Sequence, residues 1–214
     1  MHKFICISGC TASGKSSLAM ELSDYFESPV IINADALQVY DCWKILTDRP
    51  TEKKTLHDLY GHVSCRVNYS VGDWIKDVKN IFDLYSKNSK TFIFVGGTGL
   101  YFNALLNGLS QIPQIPEEIR DFANSCDLSF LLKGLNINDP DILEKIDTNN
   151  RRRVQRAWEV LEATGKSISY WQSNNASPLV SSDATLLLVE IERESLAKRI
   201  SARVDFMLES GAIK

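Results

Sequence analysis

Gly9-Cys10-Thr11-Ala12-Ser13-Gly14-Lys15-Ser16 fits G-x-x-x-x-G-K-[ST] at every fixed position, and its flanks supply the setting that pattern requires. Phe4-Ile5-Cys6-Ile7-Ser8 before it is a short apolar run, read as a buried parallel strand. After it, Leu18, Ala19, Leu22 and Tyr25 recur at helical spacing. Gly9 and Gly14 free the backbone so that successive N–H groups can point inward at phosphate oxygens. The helix that follows adds its positive N-terminal end, and Lys15 adds a full charge. Ser16 is placed to hold a divalent cation bridging two phosphates. The stretch therefore predicts binding of a diphosphate or polyphosphate.

Outward from this loop, the chain reads as an α/β protein. Pro29-Val30-Ile31-Ile32-Asn33, Thr91-Phe92-Ile93-Phe94-Val95 and Thr185-Leu186-Leu187-Leu188-Val189-Glu190-Ile191 are three further buried strands. In an open parallel sheet, ligands sit at the carboxyl ends of the strands. Asp35 falls just past one such end, where a carboxylate can be a metal ligand, a general base or a helix N-cap. As a cap it would form a capping box with Gln38. Gly96-Gly97-Thr98-Gly99 is a second glycine loop at the same edge. Many phosphate-loop hydrolases carry a metal-binding Asp there; here close backbone approach and the Thr98 hydroxyl stand instead. Residues 68–74 read as a helix start, continued by the apolar face Trp74, Val78, Phe82 and Tyr85. Residues 41–67 show no regular pattern.

The character changes near Leu109. Ile112-Pro113-Gln114-Ile115-Pro116 reads as a stiff linker, and 117–145 holds only short helical stretches. Asn149 can cap a helix over 150–164 that Gly165 ends, with an apolar face of Val154, Ala157, Trp158 and Leu161. Its first turns carry Arg151, Arg152, Arg153 and Arg156. Cations at a helix N-terminus oppose its dipole, so a merely solvated face would more naturally carry acids there. These arginines point to an anionic partner, most simply a nucleic-acid backbone. Residues 173–183 read as a loop. Leu196, Ile200, Val204 and Leu208 form the apolar stripe of a final helix that also carries Arg199 and Arg203. The expected organisation is a core of 1–110 with 183–214, and a helical insertion over 111–182.

Composition excludes several classes. With 44% hydrophobic and 24% charged residues the chain is ordinary for a globular protein, and no apolar run is long enough to span a bilayer. Met1-His2-Lys3 leads straight into the first strand, with no room for a signal peptide. A net charge of −3 predicts no global attraction to nucleic acid, so such a partner needs a local patch. The five cysteines form no C-x-x-C pair, which argues against zinc ribbons and disulfide frameworks and favours a reducing cytosol. The three histidines form no metal-spaced set.

The order of these pieces carries a resemblance. The phosphate loop, Asp35-Ala36-Leu37-Gln38-Val39-Tyr40, Tyr69-Ser70-Val71, Val95-Gly96-Gly97-Thr98-Gly99-Leu100-Tyr101, Asn150-Arg151-Arg152-Arg153-Val154-Gln155-Arg156-Ala157 and Arg203-Val204-Asp205 together resemble the tRNA dimethylallyltransferases. The likeness implies a nucleotide-kinase-like fold: a parallel sheet with flanking helices and a helical insertion that contacts tRNA. It implies transfer of dimethylallyl from dimethylallyl diphosphate to the exocyclic amine of the adenosine following the anticodon, with a magnesium requirement. Asp35 is implied as the base, with Thr98 near the reacting centre and Lys15 and Arg203 on the leaving diphosphate. Gly9, Thr11, Ala12, Ser13, Gly14, Lys15, Ser16 and Ser17 are implied to bind that diphosphate, and Ser16 the metal. Asp35, Ala36, Leu37, Gln38, Thr98, Arg120, Arg152, Arg153, Val154, Gln155 and Arg156 match stretches that touch tRNA. A cytoplasmic monomer without membrane contact is expected. Cys10 replaces a common proline, Ala36 a common serine, and Asp48-Arg49 a common Ala-Lys pair. Family members also continue past residue 214, in a part expected to complete the core and some tRNA contacts. The rival reading is an ATP-dependent nucleotide or small-molecule kinase on the same fold.

Overall fold

The computed structural model describes residues 2–50, 55–173, 176–180 and 183–213. Part of the expected 173–183 loop therefore lies outside the described residues. The chain divides into two compact units, Met1–Asn107 with Pro178–Lys214, and Gly108–Ser177.

The first unit is a parallel sheet between helices. It runs β1 (Lys3–Gly9), α1 (Lys15–Ser23), β2 (Pro29–Asn33), β3 (Leu56–Asp58), α2 (Val71–Leu84), β4 (Thr91–Gly96) and α3 (Gly99–Asn107). After the second unit it resumes with a late strand at Thr185–Val189 and a helix at Arg193–Glu209. The strand order is β3-β2-β4-β1 with the late strand outermost, and every described pairing is parallel. Strands of a parallel sheet bury both faces, and the alternation here divides the core in two. Cys6, Val30, Ile32, Phe92 and Phe94 meet Trp74, Val78, Phe102 and Leu105 of α2 and α3. Ile5, Ile7, Ile31, Ile93 and Val95 meet Ala19 of α1 on the other face. Burial pushes the Cys6 thiol up to about 12, so it is an inert core group.

Register positions the site. Ser8 pairs with Gly96, and Asn33 with Val95, so β1, β2 and β4 end level with one another. Whatever follows those three ends stands side by side. Trp74 fixes this edge, because its buried indole N–H donates to the Asn33 carbonyl at 2.8 Å and its ring stacks on Tyr101 at 4.5 Å. A capping box at Ser70 and Asp73 starts the helix that carries Trp74.

Several expectations change here. β3 lies inside the stretch without regular pattern, since three residues are too few to show a period. Tyr25 is 83% exposed, because α1 ends at Ser23 and the last apolar position of its stripe falls beyond the helix.

The named elements of the second unit are all helices: α4 (Glu117–Ser125), α5 (Leu128–Asn138), α6 (Pro140–Leu143), α7 (Arg151–Thr164) and α8 (Ile168–Gln172). Its core gathers Ala123, Leu131, Leu135, Ile142, Val154, Ala157 and Trp158. The cap of α7 is Asn150 rather than Asn149, its side chain accepting from Arg153 N, and Gly165 closes the helix in a left-handed conformation.

The late strand, β5 (Thr185–Val189), supplies a further change. It was expected to be buried, yet Leu186 is 62% and Leu188 67% exposed. Among the described residues only β1 pairs with it, and its Leu187 and Val189 face contributes to the α1 side of the core. The expected apolar stripe of the last helix, α9 (Arg193–Glu209), is likewise exposed at Ile200, Val204 and Leu208.

Candidate functional site

The first unit carries a cleft of about 780 Å³ at the level ends of β1, β2 and β4. Residues 9–17 form one wall. Gly14 caps α1 with φ 95°, a left-handed conformation that suits glycine, and offers no side-chain cap. The first N–H groups of α1 are thus left for an anionic ligand. Ala12 also takes a left-handed conformation, at φ 58°, which costs a side chain roughly 1–2 kcal/mol. Ser13 Oγ is buried with no hydrogen-bond partner among the described residues, an uncommon state for a native hydroxyl and one that ligand-binding loops tolerate. The Lys15 ammonium donates to the Cys10 carbonyl. Desolvation lowers the Lys15 pKa, with Arg203 adding to the effect, while Asp35 and Cys10 oppose it. Ser16 and Ser17 are exposed in the first turn of α1. Ser16 offers a hard oxygen, the donor type that magnesium takes when substrate phosphates complete its shell.

Two arginines of α9 reach this wall. Arg203 Nη1 donates to Thr11 Oγ1 at 3.0 Å, and its Nε lies 3.7 Å from Asp48 Oδ2. Arg199 Nη1 lies 3.6 Å from where a Cβ on Gly14 would stand. The sequence reading gave Arg199 no site role, although its i, i+4 spacing from Arg203 puts both on one helix face.

The opposite wall is built around Asp35. Asn33 brackets the residue: its Oδ1 accepts from Asp35 N at 3.0 Å, and its Nδ2 donates to the carbonyls of Asp35 (2.9 Å) and Leu59 (3.0 Å). Asp35 Oδ1 accepts from Leu37 N at 2.9 Å, which makes a turn and starts no helix. Of the three roles open to Asp35, that of a helix N-cap with a capping box to Gln38 is therefore not taken, and Gln38 donates to the Thr47 carbonyl instead. The other carboxylate oxygen, Oδ2, lies 3.9 Å from where a Cβ on Gly97 would stand. Thr98 N donates to the Ala34 carbonyl at 3.2 Å, and Thr98 Oγ1 accepts from Ala36 N at 2.9 Å. The two strand ends are thus strapped together. Gly96 permits this, because a Cβ there would collide with the Ala34 carbonyl and come 2.7 Å from Asp35 N. The Thr98 hydroxyl keeps its proton to donate elsewhere. Tyr60, which the sequence reading passed over, also lines the cleft. Burial first, and the charge of Asp35 second, keep its phenol protonated.

The cleft thus gathers the predicted phosphate-loop residues with Lys15, Asp35, Leu37, Gln38, Thr98 and Arg203. Ala36 is not among its lining residues and packs against the core.

In the second unit, Arg120, Arg152 and Arg153 are exposed. Arg156 is half-buried beside Glu159, 3.7 Å away, and feels the positive charge of Arg120. Val154 corrects the predicted contacts, since it is 0% exposed in the core and has no surface with which to meet a nucleic acid. Gln155 is engaged with Asn124 and Glu159, both at 2.8 Å. Arg151 serves the fold, donating to the carbonyls of Ala123, Asn124 and Cys126 at the end of α4.

Comparison with known proteins adds the following. The IPP transferase family model matches residues 38–214. A tRNA dimethylallyltransferase of Ruegeria sp. (strain TM1040) is 45% identical over 98% of this chain and 72% of its own length. One from Roseobacter denitrificans is 44% identical over 100% of this chain and 75% of its own. Among solved structures, a eukaryotic dimethylallyltransferase acting on tRNA matches 100% of this chain at a TM-score of 0.83 and 30% identity; the match spans 54% of that protein. A tRNA isopentenylpyrophosphate transferase from Staphylococcus epidermidis matches 99% of the chain at a TM-score of 0.60 and 29% identity, and spans 71% of that protein.

Proposed function

The chain belongs to the IPP transferase family, and from that premise we propose that it transfers a dimethylallyl group from dimethylallyl diphosphate to the exocyclic amine of the adenosine following a tRNA anticodon. One observation carries the reading. A single cleft holds the G-x-x-x-x-G-K-S loop of residues 9–16 on one wall and the Asp35 carboxylate with the Thr98 hydroxyl on the other.

An exocyclic adenine amine is a weak nucleophile, because its lone pair is delocalised into the ring. Asp35 takes its proton as the bond from nitrogen to the allylic carbon forms. The carbon–oxygen bond of the donor breaks in the same step, and its electron pair leaves with the diphosphate. Lys15, the N–H groups of the loop and Arg203 stabilise the charge developing there. Arg199 stands beside the loop to add to this. A magnesium ion held by Ser16 and the phosphates would neutralise part of that charge. Thr98, fixed by Ala36 N, stands ready to orient the acceptor or the bridging oxygen. The adenine must leave its stack to enter such a cleft. The exposed arginines Arg120, Arg152 and Arg153, with Arg156, engage the tRNA backbone, and the reaction takes place in the cytoplasm.

The test uses labelled dimethylallyl diphosphate with unmodified tRNA, run beside ATP with the same acceptor. Label should move to tRNA with equal release of diphosphate, and ATP should yield no ADP. Acceptor-dependent ADP without label transfer would establish the kinase reading instead.

A further inference from the structure

Outside the cleft, the fold brings together three side chains that sequence spacing kept apart. Tyr40 bridges Val63 in parallel, with Asp41 N donating to the Val63 carbonyl at 2.9 Å. This pairing places Asp41 and Cys42 beside Cys65, although 23 positions separate the two cysteines. The two sulfurs and a carboxylate oxygen of Asp41 all lie within 4.8 Å of one another, and all three residues are exposed. Both thiols are free.

We propose that Asp41, Cys42 and Cys65 form a surface site for a thiophilic divalent cation of the zinc class. A zinc ion holds sulfur at about 2.3 Å, so two sulfurs on one tetrahedral ion stand roughly 3.8 Å apart. The observed spacing is within a small side-chain adjustment of that. Asp41 is already oriented, because its Oδ1 accepts from Cys65 N at 3.2 Å. This leaves the other carboxylate oxygen for a metal, in the manner of ligands positioned by a neighbouring hydrogen bond. Two thiolates and a carboxylate with water as the fourth ligand select zinc, cadmium or cobalt over magnesium and calcium. Arg49 donates to the Tyr40 and Asp41 carbonyls, setting a cation beside this negative group. A disulfide between the two cysteines would leave the carboxylate without a part.

The site would act as a clip. Residues 42 and 65 bracket the segment that carries Thr47 and Asp48, both lining the cleft, and Asp48 is the neighbour of Arg203. Joining the ends of such an excursion stabilises its folded form.

Cobalt titration of the reduced chain in excess magnesium tests this, since a hard-oxygen site gives no sulfur-to-metal charge transfer. The expected result is one cobalt per chain with a thiolate charge-transfer band. Cys42→Ser and Cys65→Ser should abolish the band, Asp41→Asn should weaken it, and Cys126→Ser should leave it intact. Zinc should raise the melting temperature of the unaltered chain but not of Cys65→Ser, while the two metal-free proteins melt alike. Absence of the band in the reduced chain, or its survival in either serine variant, overturns the site.

Discussion

Asp35 is held from three directions, by Asn33, by Leu37 N and by the strap to Thr98. A carboxylate so fixed needs little reorganisation to accept a proton, which is what a general base requires. Asp35→Asn keeps an oxygen to accept from Leu37 N, so the turn survives while the base is lost. Transfer should slow by a factor of about 10²–10⁴. Donor affinity should stay unchanged, and single-turnover kinetics beside donor titration check both. Much of this wall was legible from the end of an apolar run followed by an acid. Tyr60 and Arg199 were not. Each joins the cleft from a segment distant in sequence: Tyr60 sits in a local pattern with no mark of its own, whereas the only mark of Arg199 is its spacing of four from Arg203. Val154 shows the opposite error: helical period put it with Ala157 and Trp158 in the core, but the motif run it belongs to carried it into the predicted contacts.

At the scale of elements, α2 is set by its capping box. The hydrogen bond from Ser70 is the main cause that holds the Asp73 carboxyl below its usual range. A carboxylate depressed by folding contributes stability that is fully present above its unfolded pKa, near 3.9. That contribution is lost as pH falls through the lower folded value. Ser70→Ala should cost about 1 kcal/mol. Asp73→Asn should flatten the acid limb of stability against pH, and denaturant titration across that limb checks the sign. The arginines of α7 divide by role. Arg151 closes the end of α4, whereas Arg152 and Arg153 are exposed. Replacing either of the latter with Ala should weaken tRNA binding for every sequence and reduce the salt slope by about one. Affinity measured against salt concentration checks this, with Tm as control. The sequence placed this helix within one residue. It could not place β3, whose three residues are ordered by β2 beside it.

For the whole molecule, the phosphate-loop signature sufficed to predict a parallel sheet, because strand, loop and helix are contiguous in it. The order of strands was not legible, since it depends on which hydrophobic faces meet. It is that order, with β4 between β1 and β2, that sets Thr98 between the loop and Asp35. The division into an α/β unit and a helical unit follows a change of pattern from alternating apolar runs to short helical stretches. No helix among the described residues is long and apolar enough to cross a membrane.

The bare face of β5 has a colloidal consequence. Leu186 and Leu188 stand out from an edge strand, and α9 adds Ile200, Val204 and Leu208 to the exposed apolar surface. Salting-out anions strengthen burial of such surface, and flat edge strands invite pairing. The 214-residue chain should therefore scatter light increasingly as ammonium sulfate is raised, and should brighten a hydrophobic dye while fully folded. Lysine at both Leu186 and Leu188 should suppress scattering and dye signal together. Folding free energy should change by no more than about 0.5 kcal/mol per position, because these side chains leave little buried contact to lose.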